Sequence, residues 1–573
     1  MIEIFIILTL VVFVILLIRN SSRTYILFGG LLLIYYLFGL IDTKTMLVNF
    51  VNTSLIKLVL LMIVSLVVQR TVMINGLSDL LIKKSLKRSV FNLTAVVSLM
   101  SAFLNNTAAV AAMIAPVKKN RFHPPSKLLI PLSYSAIFGG TMTLIGTSTN
   151  LIVNGFVRSA GLKPIGLFDF AYVGIPLSIA GILLLIIFSD KLLAKRDGSA
   201  LSYLVEASVL SGSKLIGNSI EKNGLKNLNG ISVEAVMRNG KRRDMPGNNE
   251  TIKAGDIIIF SCNKDNLASF SFIDGITIFG KKNRYLSNSA IVEVVVSRFS
   301  DLIGKTIENV DFETTFDASM VAFKRGTETI SGTIGKIKIK KGDSFLISAD
   351  TEFSKRQNLR KNFYIISDMN NNKILSRKKS YIALFLFFAA IISAALNLIP
   401  LIKGLLIVLT VFILLKFITF EEIKRNIPLE LIIIIGSALG ISDVMVNFGV
   451  AQMAARFMQP VFSEWGVMGG FVGVYLFTLL LTELITNNAA AALAFPIALQ
   501  TANLYGANPY PFIFAVIYAA SGSFIFPHGY QTNLMVASAG GYKISDFIKI
   551  GIPVSIVYSI IVIFLVPFFF PFK

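Results

Sequence analysis

The sequence predicts a polytopic α-helical membrane protein. It holds two inverted repeats of five spans plus one re-entrant hairpin each, with tandem α+β modules inserted in the middle. Three observations carry this. The chain of 573 residues is 54% hydrophobic and only 15% charged, with a mean hydropathy of +0.72, the balance of an integral membrane protein. Two apolar stretches are each interrupted by bare amides and hydroxyls: Ser101-Ala-Phe-Leu-Asn105-Asn106-Thr107 and Thr482-Glu-Leu-Ile-Thr486-Asn487-Asn488. Finally, these stretches are copies. Asn106 and Asn487 lie 381 residues apart, and the downstream pairs Thr149-Asn150 and Thr532-Asn533 lie 383 apart.

Taken in order, apolar runs fall at 2–18, 25–41 and 55–74. The first hairpin follows at 90–117, then a run with a polar break at 127–156, and another run at 170–190. The first run has no basic leader and no small-residue cleavage site, so it reads as a span and not a signal peptide. Runs resume at 381–399, 402–418 and 429–448, followed by the second hairpin at 467–500, a broken run at 512–538 and a last run at 547–570. The predicted domains are 1–195 and 376–573 for the membrane halves, with modules at 196–285 and 286–375.

Basic residues orient the halves. Arg19, Arg23, Lys83, Lys84, Lys87, Arg88, Lys118, Lys119, Arg121, Lys127, Lys195 and Arg196 all fall on one side if the N-terminus is outside, which makes that side cytoplasmic. Both termini are then outside the inner (plasma) membrane and the modules are cytoplasmic. An odd number of spans inverts the second half, and inverted repeats suit alternating access around a midplane site. The net charge of +22 is accounted for by such loops and by anionic lipid, with no call for nucleic acid. Cys262 stands alone and His123 and His528 are far apart, which excludes an internal disulfide and makes a Cys/His metal centre improbable.

The insertion is itself duplicated. Lys214-Leu-Ile-Gly217 recurs as Asp301-Leu-Ile-Gly304, and Ile252-Lys-Ala-Gly255-Asp256 as Ile339-Lys-Lys-Gly342-Asp343, both at a spacing of 87. Each Gly-Asp pair precedes an apolar strand and marks a turn.

Each Asn-rich tip ends one helix and restarts another on an alanine-rich run. Asn is poor inside helices and good at their N-caps. Irregular backbone at membrane depth survives only when buried in protein or lining a wet cavity. The restarting helix offers N–H groups and its positive dipole end, which suits an anion. Asn105, Asn106, Thr107, Thr486, Asn487 and Asn488 add neutral donors, with no Arg or Lys in the hairpins or the cores of the broken helices. A divalent anion held this way needs charge compensation. Sodium, bound by hydroxyl, amide and carbonyl oxygens, would supply it, which predicts cation-coupled symport.

At these tips and at the breaks Thr147-Ser148-Thr149-Asn150 and Tyr530-Gln531-Thr532-Asn533, both halves resemble the divalent anion:sodium symporter family. The duplicated Leu-Ile-Gly and Gly-Asp motifs of the insertion resemble the TrkA-C (RCK C-terminal) domain. The resemblance implies an elevator-type homodimer in the lipid bilayer. It implies one sodium among Ser101, Asn105, Asn106 and Gly146, and a second among Thr482, Ile485 (carbonyl), Asn487 and Gly529. It places substrate against Asn106, Thr107, Asn487, Asn488 and Thr147, with Asn105, Thr486 and Thr532 beside them. The family's Ser-Asn-Thr tips and Thr-Pro-Pro-Asn breaks are altered here: Asn105 and Asn488 replace smaller residues, and both break prolines are absent. The bulkier amides favour a compact tetrahedral anion, sulfate first, over a four-carbon dicarboxylate.

Several residues stay open to more than one reading. Glu483 is either linked to a proton or sodium or paired structurally. His528 touches substrate, senses pH or satisfies the broken backbone. His123 is expected to be a solvated loop residue, Trp465 an interfacial anchor, and Cys262 inert core. The modules either bind a small ligand such as a cyclic dinucleotide or act as a dimerisation scaffold. Competing functions are a dicarboxylate symporter, an anion/amino-acid exchanger, and a ligand-regulated anion channel or membrane sensor. No nucleophile–base pair or nucleotide-binding loop appears, so an enzyme is not expected.

Overall fold

The computed structural model describes residues 2–19, 24–71, 81–195, 203–225, 231–239, 241–244, 250–262, 266–267, 270, 273–278, 281–282, 290–326, 333–349, 353, 358–366, 375–459 and 464–573. The expected junction of the two modules at 285/286 and the start of the first at 196 lie outside these residues.

The apolar runs form helices close to their predicted bounds. In the first half these are α1 (Ile2–Arg19), α2 (Thr24–Leu37), a short α3 (Thr43–Phe50) and α4 (Thr53–Gln69). The hairpin arms α5 (Leu86–Ser101) and α6 (Asn106–Lys119) follow, then the broken pair α7 (Leu129–Gly140) and α8 (Ser148–Ser159), and α9 (Ala171–Leu192). The second half runs α10 (Arg377–Ala395), α11 (Leu401–Leu414), α12 (Phe420–Asn426), α13 (Leu429–Asn447) and α14 (Val450–Met458). Its hairpin is α15 (Gly466–Leu484) with α16 (Asn487–Leu504), its broken pair α17 (Pro509–Ser521) with α18 (Gln531–Gly540), and its last helix α19 (Ile544–Phe569). The short α3, α12 and α14 carry too few apolar residues to have been read as spans.

Among the described residues seven helical segments are long and apolar enough to cross a membrane, with α3 and α4 counted as one and α15 included. Their outer faces are dressed for lipid. Ile175, Ile179, Leu183 and Ile187 are exposed along α9, and Ile552, Ile556, Ile560, Phe564 and Phe568 along α19. Opposite faces of the same helices are buried through Val173, Leu177 and Leu185 and through Val554, Tyr558 and Val562. A continuous apolar stripe of this extent on the outside of a protein marks contact with a membrane.

Packing is crosswise between the halves. Each first hairpin arm lies on its own broken pair, α5 against α7 and α15 against α17. The second arms and second broken helices exchange partners: α6 meets α18, and α8 meets α16. A frame holds α13 on α2 and α3, and α11 on α4, and it meets the other elements where α13 packs on α16 and α4 on α8. Arg70 at the end of α4 ties it to Glu422 of α12 through two guanidinium–carboxylate bonds of 3.1 Å.

The insertion is one antiparallel sheet. Its strands are β1 (Tyr203–Val209), β2 (Ile231–Arg238), β3 (Lys241–Asp244), β4 (Ile257–Cys262), β5 (Ile276–Ile278), β6 (Lys281–Lys282), β7 (Ala290–Val296), β8 (Ala318–Lys324), β9 (Ser344–Ala349) and β10 (Phe363–Ile365). The order is β10-β7-β9-β8-β1-β4-β2-β3. The two modules meet where β1 pairs with β8 at Leu204 and Phe323. The duplication read at a spacing of 87 is physical. A bulge falls between Val233 and Ala235 in one copy and between Met320 and Ala322 in the other. Arg238 Nε donates to Asp256 Oδ1 at 2.8 Å, and Arg325 Nε to Asp343 Oδ1 at 2.7 Å. So the Asp of each Gly-Asp turn anchors an arginine. The helical share expected of α+β modules is small among the described residues: short turns such as Phe312–Phe316 and Leu359–Asn362.

His123 is not a freely solvated loop residue. It is partly buried, and its Nε2 lies 2.8 Å from the Lys83 carbonyl, tying the loop after the hairpin to the loop before it. Trp465 is exposed and Cys262 buried in β4, both as read. Burial pushes the Cys262 thiol up to about 12, which keeps it a weak nucleophile.

Candidate ion and anion site

Both tips restart helix at the asparagine. Asn105 caps α6 by accepting from Thr107 N at 3.0 Å, and Thr486 caps α16 by accepting from Ala489 N at 3.3 Å. These caps take up part of the N–H capacity that the sequence left for an anion. The broken segments are solved in the same way in both halves. Asn150 Nδ2 donates to the Gly140 carbonyl and Asn533 Nδ2 to the Ser523 carbonyl, each at 3.1 Å and at equivalent positions.

Behind each tip, oxygens converge. One amide atom of Asn106 lies 2.6 Å from Ser101 Oγ, 3.1 Å from the Gly146 carbonyl and 3.3 Å from the Ala136 carbonyl. If that atom is nitrogen, it donates to them while Oδ1 accepts from Tyr530 Oη. If it is oxygen, four oxygens crowd one point, an arrangement that a cation relieves. The choice between the two amide orientations follows from the surrounding network, and a bound ion changes that network. In the second half Thr482 Oγ1 lies 3.0 Å from Asn487 Oδ1 and 2.6 Å from the Ala520 carbonyl. The break passes so close that a Cβ on Gly146 would lie 2.6 Å from the Gly140 carbonyl, and one on Gly529 2.1 Å from Ser523 Oγ. Only glycine permits either approach.

The tips also reach across the halves. Thr107 Oγ1 donates to Gln531 Oε1 at 2.9 Å, and Asn106 bonds the Tyr530 hydroxyl. In return Asn488 Oδ1 accepts from Ser148 Oγ at 3.2 Å and Thr149 Oγ1 at 3.1 Å. The amide nitrogens of Asn105, Asn487 and Asn488 have no hydrogen-bond partner among the described residues. A cavity of about 30 Å³ opens beside Asn105, Gly146, Thr147 and Ser148, against Leu58, Met62 and Ser65 of α4.

Of the predicted residues, the structure brings Ser101, Asn106 and Gly146 together, and Thr482, Asn487 and Gly529. Asn105 is near the first group but spends its side-chain oxygen on the cap. Ile485 is buried and extended between arm and tip. Thr532 is not joined to the tips: its hydroxyl accepts from Ser133 of α7 at 2.8 Å. Tyr530, Gln531 and Ser148 were quoted only as parts of the breaks, yet they are the residues that meet the opposite tips. The signal was their register, since Tyr530 stands 383 residues after Thr147.

Glu483 is a structural cap. Its carboxylate accepts from Phe524 N, Ile525 N and Phe526 N, each at 3.0 Å, and from Ser523 Oγ at 3.3 Å. Three donors orphaned by the break are thereby satisfied. Asp443 accepts from Asn49 Nδ2 at 2.8 Å and joins α13 to α3.

A family model described as a citrate transporter matches residues 10–519. A sulfur deprivation response regulator of Chlamydomonas reinhardtii is 29% identical over 554 residues, 92% of this chain and 94% of its own length. An uncharacterized transporter of Synechocystis sp. is 29% identical over 550 residues, 91% of this chain and 90% of its own. Sodium/sulfate cotransporter 1 of C. reinhardtii is 26% identical over 382 residues, 64% of this chain and 43% of its own length.

Proposed function

We propose that this chain, which belongs to the citrate transporter family and is therefore a membrane transporter and not an enzyme, carries a compact divalent anion, sulfate first, together with sodium. The observation behind this reading is the pairing, at each tip, of an oxygen cluster with amide nitrogens that have no partner. Oxygen clusters of hydroxyl, amide and carbonyl groups suit a hard monovalent cation. Unbonded amide nitrogens suit an oxyanion and hold it weakly enough to release it. The names of the relatives point the same way: one to sulfur deprivation, another to sodium/sulfate cotransport.

In this reading Ser101, Asn105, Asn106 and Gly146 hold one sodium, and Thr482, Ile485, Asn487 and Gly529 the other. Asn106, Thr107, Thr486, Asn487, Asn488 and Thr147 line the anion site, joined by Tyr530 and Ser148. Thr532 moves to a supporting role beneath it. The halves are inverted repeats, with 1–195 and 376–573 as membrane domains. Hairpins and broken helices move as one body against the α2–α4, α10, α11 and α13 frame, as an elevator in a homodimer of the plasma membrane. The small cavity beside α4 then marks a closed stage of the motion, which widens when the tips part. The modules 196–285 and 286–375 are cytoplasmic TrkA-C domains serving as a scaffold, with both termini outside.

The description of the matching family as citrate transporters favours a second reading, a di- or tricarboxylate symporter on the same machinery. Radiolabelled sulfate uptake into proteoliposomes separates them, run with and without a sodium gradient and competed with succinate and citrate. Sodium-dependent sulfate uptake indifferent to both carboxylates is expected. Carboxylate uptake in place of sulfate would transfer the site to the second reading. Asn106→Ala and Asn487→Ala are each expected to abolish uptake in folded protein. Wild-type uptake in both would remove the tips from the mechanism.

A further inference from the structure

The tips carry no cationic side chain, but the second module brings one toward them. Its membrane-facing edge is seated on the moving elements. Gly342, in the turn before β9, lies so near α18 that a Cβ there would come within 2.8 Å of Leu534 Cδ1. Val295 of β7 and Ile366 after β10 belong to the apolar core of the membrane halves. Lys118, at the end of hairpin arm α6, pairs with both carboxylate oxygens of Glu293 on β7 at 2.8 Å.

Arg298 follows β7 at this seam. Its Nε and Nη1 are shielded from solvent and have no hydrogen-bond partner. Among the described residues the guanidinium makes no ion pair either, and it lies over the ring of Phe299, 4.9 Å from its centre. It lies within electrostatic reach of Tyr364 of β10, of Tyr530 (the residue that bonds Asn106 at the first tip) and of Glu430 at the start of α13. Glu430 balances part of the charge from a distance but does not bond the guanidinium. Lys341 is a second cation in reach of Arg298, and it also senses His528 of the second break. Burial, then the Arg298 charge, holds the Lys341 ammonium below its ordinary range.

Two shielded guanidinium nitrogens without an acceptor among the described residues are costly, since an uncompensated charge away from water destabilises the fold. Arginine is also the side chain best matched to a tetrahedral oxyanion. We propose that Arg298, with Lys341 beside it, forms a second anion site, at the seam between the second module and the break at Tyr530. There a compact oxyanion docks on its passage between the module face and the tips. The membrane halves bind their anion with neutral groups only, and the soluble module contributes the cationic approach. The choice of sulfate as that anion rests on the proposed transport function.

The test is sulfate binding by the purified full chain in sodium-free buffer, where the tips are expected to hold no anion. The unfolding midpoint is followed while N-methylglucamine sulfate is added against the chloride salt at equal ionic strength. The midpoint is expected to rise in the wild type and in Asn487→Ala, to rise less in Arg298→Lys, and to stay flat in Arg298→Gln. Arg298→Gln should be at least as stable as the wild type without sulfate, which separates lost binding from lost folding. A rise in Arg298→Gln equal to that of the wild type, or no rise in any protein, would overturn the site. Sodium-dependent sulfate uptake by the wild type is measured alongside. Uptake without a sodium-free rise discards this site and keeps the transport reading, whereas a rise without uptake does the reverse. In proteoliposomes Arg298→Gln is expected to raise the half-saturating sulfate concentration several-fold from the module face and to leave the opposite face unchanged. Equal half-saturation at both faces would place the site off the path and overturn its role as an approach.

Discussion

At the scale of single residues, the break in the second half is held by one carboxylate. Glu483 accepts three backbone N–H groups at 3.0 Å, and each hydrogen bond to a charged group is worth about 1.5–3 kcal/mol. Glu483→Ala strands all three donors and is expected to lower the unfolding midpoint sharply. Glu483→Gln keeps one oxygen and should lose less. If Glu483 carried a coupled proton instead, Glu483→Gln would flatten the pH dependence of uptake while leaving the midpoint in place. The sequence flagged this residue without deciding its role, because the donors it serves lie about 40 positions downstream. The asparagines of the tips were legible since their chemistry conflicts with an apolar helix. Tyr530 was not, since a phenol in a broken helix looks like filler until its hydroxyl is seen on Asn106.

At the scale of elements, hydropathy located the helices to within about five residues because each must satisfy its own backbone and face either lipid or protein. The exchange of partners between α6 and α18 and between α8 and α16 was hidden, since no periodicity encodes it. The module strands were legible through alternation and the repeated Gly-Asp turn. Their burial carries a pH signature. Lys324 on β8 is only 5% exposed. Burial, then the charge of Lys118, lowers its ammonium from 10.5 to about 7 against the pull of Glu293. The folded state therefore binds this proton less readily than the unfolded chain. Its destabilising effect is full below pH 7, declines as pH rises toward 10.5, and vanishes above. Lys324→Met is expected to raise the unfolding midpoint most at pH 6–7 and progressively less up to pH 10. A gain constant across that range would mean that the lysine is not depressed in the folded protein.

At the scale of the whole molecule, the second module touches both bodies that the proposed motion would separate. It holds the hairpin through Lys118–Glu293 and the second break through Gly342 on Leu534. On the frame it reaches Tyr25 of α2, whose ring lies 5.8 Å from the Lys361 ammonium. Such a seam was invisible in the sequence, which showed the insertion only as a separate soluble block. The membrane halves keep their own bond at Arg70–Glu422 and their crosswise tip contacts without it. Removing both modules should thus leave the transport machinery assembled. Replacing 203–355 with a short linker is expected to give a folded protein by size exclusion, with residual sodium-dependent uptake. It should also need more sulfate at the module face for half-saturation, as Arg298→Gln does. If the deleted protein is folded and carries nothing, the module is part of the moving body and transport needs it to hold the hairpin and the break in register.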